Sequence, residues 1–431
     1  MDNSCQNTHV CAPRNVFFNL SLFQFLTFLR RGIFYTFMIN YLYMLMHTVT
    51  STAALGTLNM LASALGQNLL WGRISDRYKL RTRLIVVGET IASFAYIIVF
   101  LVHKFSIDMG GTFTAGLIII FGLSTLEFFW SMSDVGWSAL LTDLTTPPKR
   151  GRIVGILNFV ASLGRMVGII FAGYLYSGGE GFKNGTIFFI VATLLLIGAA
   201  IMTFTARYVK EKPAAQGQNP MIREAKRVHD GGSTNEKTYH WLLLSLIIIV
   251  LGASSINQVF LLFIKLPEGL NASDPEMSLI LSTWTMGGML ASLASGWLTD
   301  KIGRTKTMLL GLFLAIATPI MYSGANDVLV MAFAYGLNGV SFWAIQTVGF
   351  TLASDIIPEH KRGLLFSRYN TVMALSWGPA GLLIGGPLAD IQTSRLSLSD
   401  YVAYVNTFYA SAIIVTIGTI LFALKFSRFE I

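Results

Sequence analysis

The chain has 431 residues, of which 53% are hydrophobic and only 12% charged, with a mean hydropathy of +0.60. A soluble domain carries about 25% charged residues, so a water-solvated globule is excluded and a lipid bilayer is the matching solvent. The net charge of +9 would suit a nucleic-acid ligand, but the placement of the basic residues, traced below, excludes that as well.

The first fourteen residues are polar and mixed, and the apolar run from Val16 to Met46 is too long for a signal core, so no cleavable signal peptide is expected. Cys5 and Cys11 lie in that tail and read as incidental thiols rather than a disulfide or metal pair. Apolar runs broken by short polar turns then predict twelve spans, near 17–46, 51–71, 84–104, 112–141, 153–177, 184–206, 240–264, 276–298, 307–324, 327–354, 364–388 and 401–424. The non-periodic stretch from Lys210 to Tyr239, with its Lys-Pro, Asn-Pro and Gly-Gly-Ser elements, reads as a polar linker. The expected division is a six-helix bundle over 1–208, a cytoplasmic linker over 209–239 and a second six-helix bundle over 240–431.

Orientation follows from Lys and Arg. Of the 31 basic residues, four (Lys104, Lys183, Lys265, Arg395) fall in the loops of one face and four (Arg30, Arg31, Arg165, Arg368) inside spans. The remaining twenty-three crowd the termini, the linker and the alternate loops of the other face. Both termini are therefore expected in the cytoplasm, and the basic excess is an insertion signal with no nucleic acid as partner.

The chain also repeats itself. Gly72-Arg-Ile-Ser-Asp76-Arg77, after the second span, returns 224 residues later as Gly296-Trp-Leu-Thr-Asp300 after the eighth. Asp143-Leu-Thr-Thr-Pro-Pro-Lys-Arg150-Gly151, after the fourth span, returns 212 residues later as Asp355-Ile-Ile-Pro-Glu-His-Lys-Arg362-Gly363. Duplicated halves of this kind build a central site that faces each side in turn. Topology requires the bases but not the acids. Asp76 and Asp300 each follow a glycine by one helical turn, so Gly72 and Gly296 are expected to open that face for close helix approach. Each carboxylate could then meet the start of a neighbouring helix, where free N–H groups favour negative charge. Lys79, Arg81 and Arg83 read as topology alone.

With these motifs the chain resembles the major facilitator superfamily: twelve spans, six plus six, a long central linker, and G-x-x-x-D-R/K-x-G-R-x-K/R after the second and eighth helices. The first copy departs by one residue, with Lys79 and Leu80 where the second has Gly303 and Arg304. The resemblance implies an all-α membrane fold of two six-helix bundles related by pseudo-two-fold symmetry. It also implies a cytoplasmic gate, with Asp76 docked on the helix after Gly363 and Asp300 on the one after Gly151. Arg77, Asp143, Arg150, Arg304, Asp355 and Arg362 would complete it.

Ionisable residues inside a membrane cost roughly 2.5–3.5 kcal/mol each on insertion scales, so each is a functional candidate. Arg30 and Arg31 lie in the first span, Glu89 in the third, Glu127 and Asp134 in the fourth, Arg165 in the fifth and Arg368 in the eleventh. Arg368 and Glu89 sit near a cytoplasmic end and read as structural. Glu127 and Asp134, two turns apart, share one helix face, and helical rise places Glu127 and the arginines at about one depth. Two readings stand: the acids pair with Arg30, Arg31 or Arg165 to neutralise buried charge, or one of them takes up a proton or cation and the freed arginine responds. In the second half Asn257, Gln258, Asn338, Gln346 and Asn370 could hydrogen-bond a solute or tie helices together. Trp130, Trp137, Trp343 and Trp377 could line a cavity or pack in the core. No Walker loop, CxxC pair or nucleophile elbow occurs, so no enzyme activity and no cofactor are expected.

A narrower resemblance rests on residues 28–42 and 127–137, which look like the facilitator-type proteins of the magnetosome membrane (MamH type), associated with iron uptake into that organelle. It implies a bacterial inner or magnetosome membrane and gives Glu127 and Asp134 a metal-ligating role, since hard oxygen ligands suit such a cation; His47 could be a further ligand or simply a surface histidine. Three functions are thereby expected to compete: a metal-ion carrier, a proton-coupled carrier of a small organic anion, and a non-transporting scaffold bound to other membrane proteins.

Overall fold

The computed structural model describes residues 14–78, 80–145, 147–208, 232–357, 362–375 and 378–426, and every segment expected to cross the bilayer is helical in it. The first pass comprises α1 (Arg14–Tyr35) and α2 (Met38–Met46). The break between them follows Thr36, whose hydroxyl donates to the Gly32 carbonyl one turn back and so competes with the helical ladder. The second pass is α3 (Val49–Leu65), one π-helical turn over Gly66–Trp71, and α4 (Gly72–Tyr78). Then come α5 (Arg81–Asp108), α6 (Thr112–Leu144), α7 (Pro147–Tyr176), the short α8 (Glu180–Lys183) and α9 (Thr186–Ala206).

The seventh pass is α10 (Gly232–Ser255) with α11 (Asn257–Lys265), followed by α12 (Asp274–Ile302), α13 (Arg304–Gly324) and α14 (Val328–Ile356). The eleventh comprises α15 (Arg362–Ala374), a π turn over Gly381–Gly385 and α16 (Gly386–Ser394), and the last is α17 (Asp400–Phe426). Ser273 and Glu276 form a reciprocal capping box at the start of α12. Between α12 and α13 the chain reverses through Gly303 alone, at φ 89°, a conformation that glycine adopts without a Cβ penalty. Among the described residues, eight helical stretches are long and apolar enough to cross a membrane.

One neighbour pattern recurs in both halves. In the first, α1 packs on α7 and α9, and α5 on α6 and α9. In the second, α10 packs on α15 and α17, and α13 on α14 and α17. These are the same pairings one half later, which is the structural form of the sequence repeat.

Two compact units result. The first holds the described residues up to Tyr41 and from Leu58 to Tyr208; the second holds Leu42–Thr57 with those from 232 onwards. Phe34 centres the first unit's aromatic core, edge-on to Tyr96, Phe182 and Phe188. The second is built on Tyr239, Leu246, Leu312, Val348, Tyr369 and Phe422, with Phe260 stacked on Tyr335 nearby.

Small residues set the closest helix crossings. A Cβ on Gly164 would lie 2.3 Å from the Phe25 carbonyl oxygen, one on Gly168 2.2 Å from that of Leu29, and one on Gly32 2.5 Å from that of Arg165. Backbone thus meets backbone where α1 crosses α7, the small-xxx-small mode of membrane helices. By contrast, among the described residues a Cβ on Gly72 would meet Gln67 of its own preceding turn. The π turn before Gly72 brings the Gln67 carbonyl round onto it.

Candidate functional site

Three helices of the first unit gather charge around Trp130. On α6, Glu127, Trp130 and Asp134 fall at i, i+3 and i+7, one face of the helix. On α5, Glu89 and Tyr96 share a face two turns apart. From α1, Arg30 places its guanidinium carbon 4.9 Å from the Trp130 ring centroid and Arg31 places its own at 4.4 Å. The indole ring thus carries two cations, an attraction that grows when the partners are shielded from water.

The same indole donates its N–H to Glu89 Oε1 at 2.8 Å, and the Ser133 hydroxyl donates to that oxygen at 2.7 Å. Glu89 is 1% exposed. Counting along one helix gives height but not the face, and the face of α5 that carries Glu89 is turned towards α6. Arg30, 2% exposed, donates from Nη1 to the Tyr96 hydroxyl at 3.1 Å, while its Nε meets no acceptor among the described residues.

Arg31 and Asp134 form the outer part of this assembly. Their side chains pair at 3.8 Å and are 32% and 41% exposed. Asp134 also lines a cavity of about 600 Å³ within the first unit, together with Gln67, Arg81, Val135, Ser138, Ala139 and Asp143. Glu127 is partly buried and interacts electrostatically with Arg31 and Arg30 without a direct contact. Arg165 is partly buried on α7, its backbone carbonyl turned to Gly32. Among the described residues no three His, Cys, Asp or Glu side chains are grouped to hold a metal ion.

At one end of the cavity Arg81 corrects its reading as topology alone. Its Nε donates to Asp143 Oδ2 at 3.2 Å and its Nη1 to the Ser75 carbonyl at 2.7 Å. The second half holds the matching ion pair between Arg304 and Asp355. Arg81 therefore corresponds to Arg304, and the one-residue departure between the motif copies is absorbed in the turn, where Lys79 and Leu80 stand against the single Gly303. Asp143 is thus met by Arg81. Arg77 is exposed and lies over the Tyr78 ring at 5.4 Å. The expected gate contacts of Asp76, Arg150, Gly296, Asp300 and Arg362, like Trp377, lie outside the described residues.

In the second unit Asn338 ties helices together: its Oδ1 accepts from Trp284 Nε1 at 3.2 Å and its Nδ2 donates to Thr318 Oγ1 at 3.3 Å. Gln258 is buried against Gly381, its Oε1 without a donor among the described residues. Asn257 opens α11. The Gln346 side chain is half-buried, and its carbonyl accepts from the Tyr369 hydroxyl at 3.4 Å. Asn370 and Arg368 are exposed, as is His47 between α2 and α3.

The chain resembles known transporters along most of its length. It is 24% identical over 362 residues to a multi-drug resistance efflux pump PmrA homolog of Lactococcus lactis subsp. lactis, which covers 84% of this chain and 81% of that protein. It is 22% identical over 365 residues to the efflux pump PmrA of Streptococcus pneumoniae, covering 83% and 82%. Among solved structures, a bacterial homologue of the iron transporter ferroportin superposes with a TM-score of 0.69 at 17% identity, over 96% of this chain and 99% of that one. A bacterial homolog of the human lysosomal transporter Spinster gives 0.68 at 14%, over 95% and 96%. Likenesses at these identities show the fold. The family model for the Major Facilitator Superfamily matches residues 20–266 and again 242–429, so that this chain, a multi-pass membrane transporter and not an enzyme, belongs to the Major Facilitator Superfamily.

Proposed function

We propose that the chain is a proton-coupled carrier of a small organic anion, working by alternating access between bundles over 1–208 and 240–431 with both termini in the cytoplasm. The observation that carries this reading is the half-exposed Arg31–Asp134 pair beside the cavity. An ionised Asp134 holds Arg31. Once Asp134 is protonated that attraction is lost, and Arg31 keeps the Trp130 face as its seat and offers its charge to an anion. Proton and anion then load together because each removes the competitor of the other. Behind the pair, Arg30 and Glu89 balance one another and stay fixed.

The metal-ion reading, and with it iron transport into magnetosomes, has less support. Asp134 is engaged by an arginine, Glu127 is its one acidic companion on that face, and no third ligand is grouped with them among the described residues. A scaffold that no longer transports would have little need to keep ionisable groups on a cavity wall, where each is costly.

The test uses full-length protein in vesicles loaded with a pH dye and given a panel of small carboxylates and phosphate esters. The expected result is lumen acidification that depends on one of the anions. Asp134→Asn is expected to reduce that proton flux to background while anion counterflow persists, since the amide mimics the protonated acid. Ferrous-ion flux abolished by Asp134→Asn, with no response to any anion, would replace this proposal with the metal reading.

A further inference from the structure

The residues that join the first and second passes carry a contact of their own. Leu42–Thr57 belong to the second unit, and within that unit Asp390 of α16 caps the start of α3. Its Oδ1 accepts from the Val49 backbone N–H at 2.9 Å and its Oδ2 from that of Thr50, also at 2.9 Å. Both carboxylate oxygens are thereby used on two of the four N–H groups that a helix start leaves without intrahelical partners. A charge-assisted bond of this kind is about twice as strong as a neutral one, and the helix dipole adds to it.

Two further features fit the same contact. A Cβ on Gly386 would lie 2.7 Å from Thr50 Cα, and one on Gly378 2.3 Å from the Thr57 backbone nitrogen. The eleventh pass therefore presents bare backbone to the first turns of α3 at two points along its length. The Asp390 and Gly386 contacts lie one full pass from the basic turn that follows α4, at the opposite membrane face, and the Gly378 contact lies deeper along the same pass. No charge repeat in the sequence marks the site, because the acceptor is a single acid and the donors are backbone.

We infer that Asp390 is the closing clasp of the extracytoplasmic face: it holds the junction of the first two passes on the eleventh and lets go each time the transporter opens to that side. The inference rests on alternating access but not on the identity of the solute or the coupling ion. An experiment that needs neither separates its failure from theirs.

Val49→Cys, introduced in full-length protein with Cys5 and Cys11 replaced by Ser, places a thiol where the native side chain is 2% exposed. Its labelling by a membrane-impermeant maleimide from the extracytoplasmic face of reconstituted vesicles reads how often α3 leaves α16. Asp390→Asn leaves one N–H without an acceptor and removes the charge, and is expected to raise the labelling rate about tenfold. Gly386→Ala forces a methyl against Thr50 and is expected to raise it as well. Asp400→Asn, an acid at the start of α17 that takes no N–H of α3, is expected to leave the rate unchanged. Absence of a rise in whichever of Asp390→Asn or Gly386→Ala reconstitutes, or an equal rise with Asp400→Asn, would overturn the clasp.

Discussion

Replacing Glu89 by Ala is expected to cost about 1–3 kcal/mol of stability for each buried donor that it leaves without an acceptor. Two donors, Trp130 Nε1 and Ser133 Oγ, converge on one Glu89 oxygen, and among the carboxylates Glu89 acts most strongly on Arg30. The alanine leaves both donors unpaired and Arg30 as a buried cation whose remaining contacts are the Tyr96 hydroxyl and the Trp130 face. Glu89→Gln separates these effects. Its amide oxygen still accepts from Trp130 and Ser133, so only the charge is lost. Thermal unfolding of purified protein in detergent should therefore rank parent above Gln and Gln above Ala, with Ala well separated. Equal melting of all three would show that Arg30 is balanced elsewhere and that the indole does not need Glu89.

The ranking also explains why part of this site escaped the sequence. Twelve spans were legible because bilayer thickness imposes one length on every apolar run, and Asp143 and Asp355 stood out because they repeat at a fixed offset. Arg30, Arg31, Glu127 and Asp134 were legible as candidates because charge in hydrocarbon is rare. The pairing among them was not, since adjacent arginines point about 100° apart and only tertiary packing decides which one is covered. The partners of Glu89 were hidden for the same reason, since height along a helix does not give the face. Trp130 gave no signal distinguishing a hub from a core tryptophan. Arg81 was hidden by a register shift of one residue, which became visible only when its partner Asp143 could be compared with the pair Arg304–Asp355. The grouping of Leu42–Thr57 with the second unit follows from backbone-to-backbone contacts that involve no distinctive side chain.

Gly168→Ala is expected to be as damaging to transport as the loss of a charged residue, although glycine carries no chemistry. Its added methyl would lie 2.2 Å from the Leu29 carbonyl oxygen and 3.0 Å from Gly32 Cα. Neither is the end of a flexible side chain, so α1 and α7 must separate. Overpacking of this kind costs about 1–3 kcal/mol, and here the strain falls on the residue just before Arg30 and Arg31. A shift of α1 disturbs a pair already at 3.8 Å and the seating of both guanidiniums over Trp130. Proton-coupled flux should fall steeply even in protein that remains folded at the assay temperature.

Gly155→Ala in the same helix supplies the control. No atom of the described residues lies within 4 Å of its added Cβ, and alanine is the better helix former by roughly 0.5–1 kcal/mol. Unchanged or raised stability with full activity is expected there. If Gly168→Ala behaved like Gly155→Ala, the α1–α7 crossing would be looser than its backbone contacts imply. Arg31 would then owe its position to Asp134 alone, and Asp134→Asn should disorder it. If the two substitutions diverge as expected, the glycines at 32, 164 and 168 set the distance at which an arginine in hydrocarbon can be held by one acid and released by one proton.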